Sequence, residues 1–473
     1  MDLFSAVVAF SWLVYFWETY LSKRQDNIYH QVKEVPTELK SVIDEKTFTK
    51  SRTYAIDKSR YGFWHGLYSQ IETTLFLCLN GLPLLWMLSG LLTAKFGLNE
   101  EYEKTQSIVF TFLGSIITLV LGLPWSIYYT FVIEERHGFN KMTLGFFLKD
   151  TLKKTLVSQA IMMPLTALII FVIEIGGDYF FIYAWLMVFT ISMILLHIYP
   201  EYIAPLFDKY NPLPEGQLKQ KIEELAASLQ FPLKKLYVVE GSKRSAHSNA
   251  YMYGFHKNKR IVLFDTLLED YSPVTRDDKE TKDSKEKEED ATKDTVDLAK
   301  DTSQDNAPTQ EKEEPKKIGC NTEEVVAVLA HELGHWKYSH MLKNLAIMQA
   351  SILFSFFVFG KLMNVHEIFA AFGFVDQQPI LIRLYIVFSL VFSPVNEIES
   401  FLMNVLSRRF EFQADDFAVN LGKKELLKSA LLKLYKDNLS FPVADWLFSA
   451  CHYSHPPLLE RMRGMDEADK KSN

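Results

Sequence analysis

The chain has 473 residues, of which 48% are hydrophobic, 14% aromatic and 23% charged, with a net charge of -7 and three cysteines. A slightly acidic chain with a sequence pI near 6.0 has no general electrostatic reason to bind nucleic acid. Three cysteines cannot build a disulfide framework, and free thiols are typical of a reducing compartment. The mean hydropathy of -0.01 is typical of a soluble protein. It is, however, an average over regions of very different composition.

Residues 276–317 differ sharply from the rest of the chain. They contain 15 acidic and 10 basic residues and no aromatic residue, so they carry -5 of the net charge. Such a segment cannot bury enough apolar surface to offset the entropy of ordering it, and we predict a disordered insert. The remaining residues are about 19% charged, below the roughly 25% of soluble domains. That remainder has the composition of a membrane protein.

Seven apolar runs are long enough to cross a hydrocarbon core of roughly 30 Å as helices. The first is not typical of a signal peptide, because it lacks a basic start and a small-residue cleavage site. We expect a multi-pass α-helical membrane protein with spans at residues 3–21, 74–92, 107–127, 156–173, 179–198, 345–362 and 380–395.

The connections between spans alternate in positive charge. The first connection holds nine Lys and Arg residues at positions 23–60, and the fourth holds none. Because cytoplasmic loops are enriched in Lys and Arg, this alternation predicts a lumenal N-terminus and a cytosolic C-terminus.

The spans divide the chain into four parts. Residues 1–199 form spans 1–5 with their loops, and residues 343–406 form spans 6 and 7. Residues 200–342, with the charged insert, and residues 407–473 are two soluble segments that we expect to fold together on the cytosolic side.

The first soluble segment shows both strand and helix patterns. Its β-branched and aromatic residues predict strands at 236–240, 249–255 and 260–265, the last two joined by a turn at 256–259. Helical spacing is present at 218–229 and 322–337. The soluble part is therefore expected to be an α+β domain.

The helix predicted at 322–337 contains the motif H-E-x-x-H, formed by His331, Glu332 and His335. Residues four apart share a helix face, so the two imidazoles can bind one Zn²⁺ while the glutamate acts as general base. Two ordinary surface histidines are the alternative reading. A catalytic zinc site needs three protein ligands and one open position, so a third ligand must come from another segment.

The segment after the last span offers that third ligand. Glu411 and Asp415 lie four residues apart, so Glu411 can bind the metal while Asp415 accepts a hydrogen bond from a ligand histidine. Ion pairing of these acids with Arg408 or Arg409 on the protein surface fits the same spacing. The spacing alone leaves both readings open.

Near the C-terminus, His455 precedes two prolines, which favour an extended backbone at that histidine. A rigid donor of this kind can stabilise the oxyanion of a tetrahedral intermediate. A surface histidine is the simpler interpretation of the residue taken alone. Arg461, in the same segment, is a further candidate for the surroundings of the metal site.

Four segments together resemble the type I CAAX prenyl protease family. They are H-S-N-A-Y at 247–251, H-E-L-G-H-W at 331–336, R-R-F-E-F-Q-A-D at 408–415 and Y-S-H-P-P-L-L-E-R at 453–461. The likeness extends over nearly the whole chain and includes segments without obvious chemistry, such as F-V-I-E-E at 131–135. The charged insert resembles the family in character only.

The resemblance implies a fold and an activity. The fold is seven helices around a water-filled chamber within the membrane, with a gluzincin-like zinc domain on the cytosolic side. The activity is cleavage after the cysteine of farnesylated C-terminal CAAX proteins, with a second upstream cut in prelamin A. One Zn²⁺ would be bound by His331, His335 and Glu411, with Glu332 as general base.

Roles for four further residues follow from the mechanism that the resemblance implies. His455, and Asn249 as a second donor, would hydrogen-bond the oxyanion, and the strand at 249–255 would pair with extended substrate. A structural role for Asn249 in a turn remains open. Asp415 and Arg461 would lie outside the metal ligands.

The chain ends in K-K-S-N, which resembles a dilysine retrieval signal and implies the endoplasmic-reticulum membrane and the continuous inner nuclear membrane. The alternative is a solvated Lys-rich tail. Expected partners are therefore the lipid bilayer and farnesylated CAAX proteins including prelamin A.

Two other functions are compatible with parts of the sequence. One is a general membrane quality-control protease that accepts unprenylated chains, including chains stalled in a translocation channel. The other is a seven-helix receptor or transporter, which the H-E-x-x-H motif and the long soluble segment after the fifth span argue against.

Overall fold

A computed structural model describes residues 2–40, 42–97, 103–254, 259–269, 271 and 319–472. The charged insert predicted at 276–317 and nearly all of the turn predicted at 256–259 lie outside the described residues.

The first half of the chain is helical. Its helices are α1 (Leu3–Gln31), α2 (Glu45–Cys78), α3 (Gly81–Lys95), α4 (Glu103–Tyr128), α5 (Leu144–Ile175) and α6 (Phe180–Ile198). A π-helical segment, Tyr129–Glu134, continues α4. By length and composition, α1, α4 with its continuation, α5, and α6 with its flanking turns are each able to cross a membrane. These four match the first, third, fourth and fifth predicted spans.

The second predicted span, 74–92, is not one straight helix. It falls on α2 and α3, which reach the length and hydropathy of a span only as a pair bent by 69°. Asn80 between them has a left-handed backbone with φ of +54°, where most side chains are disfavoured. A Cβ at Gly81 would lie 2.2 Å from the ring of Phe76. The chain therefore turns sharply inside the apolar run.

The first soluble segment forms a four-stranded sheet with two helices. Its elements are β1 (Tyr210–Pro212), α7 (Gln217–Ser228), β2 (Leu233–Val239), β3 (Ala250–Tyr253), β4 (Lys259–Phe264) and α8 (Thr322–Lys337). The strand order is β1-β2-β4-β3, with β2 and β4 parallel and the other pairs antiparallel. The three predicted strands and both predicted helices are confirmed, whereas β1 was not predicted. The strand β3 lies at an edge of the sheet.

The rest of the chain is helical again. Its helices are α9 (His340–Leu362), α10 (His366–Ala370), α11 (Ile380–Tyr385), α12 (Ser393–Asn420), α13 (Lys424–Asp437), α14 (Trp446–His452) and α15 (Leu458–Ser472). The helix α9 can span a membrane and matches the sixth predicted span. Residues Ile380–Val391 and α12 form a second bent pair, with an angle of 58°, at the seventh predicted span. The helix α12 continues past residue 406, so the predicted domain boundary falls inside it.

The two soluble segments share hydrophobic cores. In one core, buried side chains of α8 and α12 pack with α13, α15 and part of the first connection between spans, including Leu39, Phe48, Ala327, Ala418 and Leu458. The connection between α1 and α2 is therefore part of the soluble domain's core. In the described residues, this packing places that connection and the H-E-x-x-H helix on the same side of the apolar helices.

Candidate active site

The helix α8 presents the H-E-x-x-H motif. The side chain of Asn321 accepts a hydrogen bond from the backbone N–H of Glu324, and the Glu324 carboxylate accepts one from the backbone of Asn321. This capping box satisfies backbone donors at the helix start. Val325 and Leu329 are fully buried against the sheet. The cap and these buried side chains hold the part of the helix that precedes its first ligand candidate, His331.

Three donor groups meet at the buried face of α8. The Nε2 atoms of His331 and His335 lie 3.2 Å apart, and oxygens of Glu411 on α12 lie 3.5 Å and 3.2 Å from them. Ligands about 2.0–2.1 Å from a tetrahedral zinc are about 3.4 Å from each other. The Oε2 atom of Glu411 is buried, and Nδ1 of His455 lies 2.8 Å from it, although not in the geometry of a hydrogen bond. The distances among the three donor atoms fit a zinc ion at this position.

Gly334 lets the two helices that carry these donors approach each other. A Cβ at this position would lie 3.0 Å from the Cα of Ala414 and 3.1 Å from the Cβ of Phe417. Because one of these neighbours is backbone, it cannot easily move away. The glycine in the motif therefore has a packing reason, which is to bring α12 and its Glu411 close to the histidines.

His331 is held on its outer side by a buried ion pair. Its Nδ1 lies 2.8 Å from Oδ1 of Asp415 and 3.3 Å from a guanidinium nitrogen of Arg461. Arg461 donates to both oxygens of Asp415 at 2.6 Å and 2.8 Å. A guanidinium has donors only, so the protonated Nδ1 of a metal-binding His331 must donate to Asp415. Burial alone would lower the pKa of Arg461, but the charge of Asp415 raises it above its ordinary value.

His335 is held by two uncharged side chains, His340 and Gln413, whose role the sequence patterns did not predict. Its Nδ1 lies 3.0 Å from Nδ1 of His340, and Nε2 of His340 lies 2.9 Å from Oε1 of Gln413. His340 is the first residue of α9, beyond the end of the motif helix. No spacing rule links it to α8, and only the packing of α9 against α12 brings the three residues together.

A cavity of about 720 Å³ opens beside the metal ligands. Glu332, His335 and His455 line it, together with Tyr251 and Tyr253 of the edge strand β3. The structure thus brings the predicted general base, the predicted strand edge and the predicted oxyanion donor to one cleft.

His455 also contacts a predicted metal ligand. Its Nδ1 lies 2.8 Å from Oε2 of Glu411. This contact raises the pKa of His455 above its ordinary value, against the opposing effect of burial.

Asn249 is placed differently. It is exposed, does not line this cavity, and its Oδ1 accepts a hydrogen bond from the backbone N–H of Ala250. The side chain sits next to β3 but is not brought to the metal ligands, and its role as an oxyanion donor stays a prediction.

Two of the segments that carry the family resemblance, 131–135 and 247–251, meet each other. His247 stacks on Phe139 with ring centroids 4.0 Å apart. Its two nitrogens lie 3.3 Å from Oε2 of Glu134 and 3.1 Å from Oδ1 of Asn438. Tyr54 of α2 donates to the other oxygen of Glu134 at 2.5 Å. Apolar helices and the loop that leads into β3 are therefore tied together by side-chain contacts.

Comparisons with known proteins agree with this geometry. A family model described as the N-terminal part of CAAX prenyl protease, with five membrane helices, matches residues 25–209, and a model of peptidase family M48 matches residues 212–469. The chain is 55% identical over 466 residues to a Mus musculus protein named CAAX prenyl protease 1 homolog, covering 98% of this chain and 96% of that protein. A Homo sapiens protein of the same name is 55% identical over 463 residues, covering 98% and 95%.

A solved structure has the same fold. The crystal structure of S. mikatae Ste24p matches with a TM-score of 0.81 and 32% sequence identity, covering 98% of this chain and 99% of that one. The resemblance found in the four motifs is thus confirmed at the level of family models, whole-chain identity and three-dimensional structure. The chain belongs to the CAAX prenyl protease family, the membrane-embedded zinc metalloproteases of peptidase family M48.

Proposed function

We propose that the protein is an endopeptidase that removes the last three residues from farnesylated CAAX proteins. One observation carries the proposal: the donor atoms of His331, His335 and Glu411 lie within 4.8 Å of one another, beside a cleft lined by Glu332 and by the edge strand β3. That cleft lies in a chain with several helices able to span a membrane. The relatives named CAAX prenyl protease 1 homolog support the substrate class.

In this proposal His331, His335 and Glu411 hold one zinc ion. When bound, zinc supplies Lewis acidity, which polarises a carbonyl and lowers the pKa of a water toward about 7. Glu332, on the cavity wall, takes a proton from the attacking water and passes it to the nitrogen of the leaving tripeptide. Asp415 and Arg461 hold His331 in the orientation that points Nε2 at the ion.

His455 and Asn249 are assigned to the oxyanion of the tetrahedral intermediate. Nδ1 of His455 faces Glu411, which leaves Nε2 for a substrate oxygen. Removing an oxyanion donor typically lowers kcat by about 10²-fold or more. We expect His455→Gln to lower kcat with little change in KM or zinc content. Asn249→Ala should do the same if the asparagine turns toward bound substrate, and an unchanged kcat would remove it from the mechanism.

The edge strand β3 suits an extended substrate. Its outer edge is unpaired within the described sheet, and Tyr251 and Tyr253 line the cavity beside Glu332. Pairing through main-chain hydrogen bonds accepts varied side chains. The farnesyl chain gains roughly 0.8 kcal/mol per CH₂ kept in an apolar environment, which the spanning helices supply.

The test compares a farnesylated CAAX peptide with the same peptide lacking the prenyl group, using purified protein of known zinc content. The wild type should cleave the farnesylated peptide after the cysteine. Glu332→Gln should abolish cleavage while zinc content stays the same. Glu323→Gln, an acid-to-amide change at an ion-paired position in the first turn of the same helix, is the matched control and should be active.

Each outcome decides between functions. Equal cleavage of both peptides would favour a quality-control protease that accepts unprenylated chains. An active Glu332→Gln variant would contradict the assignment of the general base. The second cut in prelamin A is tested by the same variants on a longer farnesylated prelamin A peptide, in which a product cleaved upstream of the cysteine is expected.

We further place the protein in the endoplasmic-reticulum membrane and the continuous inner nuclear membrane, with the zinc domain facing the cytosol or nucleoplasm. The basic first connection packs in the same core as α8 and α12, which supports a common side for both. In sealed microsomes, a tag after residue 473 should be open to added protease, and a tag before residue 1 should be protected. The reverse pattern would overturn this orientation.

A further inference from the structure

His340 is a buried polar side chain that the mechanism above does not use. It is 2% exposed and lies between the ligand His335 and the amide of Gln413. Its ring stacks on Phe410, with centroids 4.0 Å apart and an interplanar angle of 7°. Both of its nitrogens and one ring face are thus engaged, which fixes its orientation.

The donors and acceptors in this series of hydrogen bonds can be assigned by starting from Gln413. The Oε1 atom of Gln413 is a carbonyl oxygen and can only accept, so the proton of His340 lies on Nε2. The Nδ1 atom of a neutral His340 then carries a lone pair and accepts from Nδ1–H of His335. With its proton held on Nδ1, His335 keeps the Nε2 lone pair that a metal needs.

The opposite order of protons would be incompatible with metal binding. If His340 carried its proton on Nδ1, it would donate to His335, and a neutral His335 would carry its own proton on Nε2. That nitrogen faces Nε2 of His331 at 3.2 Å and Glu411 at 3.2 Å. A proton there would occupy the position that zinc takes.

We propose that His340 and Gln413 are positioning residues for the zinc ligand His335. They select its metal-binding tautomer and fix its ring without touching substrate. The role parallels that of Asp415 for His331 but uses no charge. Because α12 carries Glu411, Gln413 and Asp415, one helix supplies the third ligand, the carboxylate that contacts His331 and the amide that contacts His340.

The main test is zinc affinity, measured by competition with a chelator on the full-length protein in detergent. His340→Phe keeps an aromatic ring for stacking on Phe410 but removes both nitrogens. Loss of an outer partner of a metal ligand typically weakens binding by about 10–100-fold, and that is the expected change. His137→Phe is the matched control, because the side chain of this histidine is also largely buried but pairs with Asp57 and not with a ligand. It should bind zinc as the wild type does.

A second pair of variants tests the proposal even if His340→Phe does not fold. Gln413→Met deletes the acceptor at similar length, and Gln413→Glu keeps an oxygen acceptor. Zinc affinity should fall for Gln413→Met and be retained for Gln413→Glu. A merely structural role would lower the melting temperature of the zinc-free protein and leave the chelator competition unchanged.

Wild-type zinc affinity in both His340→Phe and Gln413→Met would overturn the proposal. The visible spectrum of the Co²⁺-substituted protein gives a second readout, since a shift of the His335 ring alters the ligand field. Neither measurement uses a substrate. Their failure would therefore leave the proposed peptidase activity untouched.

Discussion

The two histidines of the candidate zinc site share one helix face but are supported in different ways. His331 contacts Asp415, a carboxylate that is 1% exposed and that accepts hydrogen bonds from Nε and one terminal nitrogen of Arg461. His335 contacts His340, which contacts the amide of Gln413. One histidine is thus oriented by a buried ion pair and the other by neutral hydrogen bonds.

This difference predicts which substitutions near the site lower the stability of the protein and which lower only its metal affinity. Breaking a buried ion pair leaves a charge without a partner, which costs far more than losing a neutral hydrogen bond. The charged support orients His331 strongly but makes folding depend on Arg461. The neutral support orients His335 without that dependence. We therefore expect stability defects on the His331 side and purer metal-binding defects on the His335 side.

The largest effect should come from Arg461→Met. The variant leaves Asp415 buried without its partner, which typically costs about 3–5 kcal/mol of stability. Thermal unfolding of the zinc-free protein measures it, with His340→Phe as the reference for the neutral side. If Arg461→Met unfolded at the same temperature as His340→Phe, the contrast between the two supports would be lost.

A smaller loss of stability is expected for Gly334→Ala. This substitution affects the surroundings of His331 and His335 together. The new methyl group would press against the backbone of Ala414, and overpacking of this kind typically costs about 1–3 kcal/mol. Both the melting temperature and the zinc affinity should fall. Gly66→Ala, where a Cβ meets nothing within 4 Å, is the control and should match the wild type. A fully stable Gly334→Ala would show that α8 and α12 can separate without harm.

The third variant, Asp415→Asn, breaks the same buried ion pair from its other side, so a loss of stability should accompany its loss of zinc affinity. The amide keeps the shape and one acceptor oxygen but loses the charge that favours a protonated Nδ1 on His331. We expect zinc affinity to fall by about 10–100-fold, measured by the same chelator competition as for His340→Phe. If Asp415→Asn and His340→Phe were equal in affinity and in stability, charge would make no difference to how the ligands are held.

Sequence patterns predicted the parts of the site that lie along single helices. The helix Thr322–Lys337 could be predicted with its bounds, because its cap and its apolar face are both local. Glu411 and Asp415 could be found from their spacing of four on one helix. His340 and Gln413 could not, because their meeting depends on how α9 packs on α12, which no periodicity records.

The same limit explains which details of the fold the hydropathy pattern did not predict. Hydropathy identified seven apolar runs, but it does not detect the break at Asn80 or the bend after Val391, since both lie inside apolar sequence. It also placed a domain boundary within α12, where one continuous helix runs from the apolar region to the ligand Glu411. The meeting of His247 with Glu134 is likewise a tertiary contact between distant segments.

The most direct test of the central claim is a crystal structure with anomalous scattering measured at the zinc edge. We expect one strong peak about 2.0–2.1 Å from Nε2 of His331 and Nε2 of His335 and about 2.0–2.2 Å from an oxygen of Glu411. Nδ1 of His331 should still face Asp415, and Nδ1 of His335 should still face His340. Zinc bound through an Nδ1 atom, or at a position that excludes Glu411, would contradict the central claim.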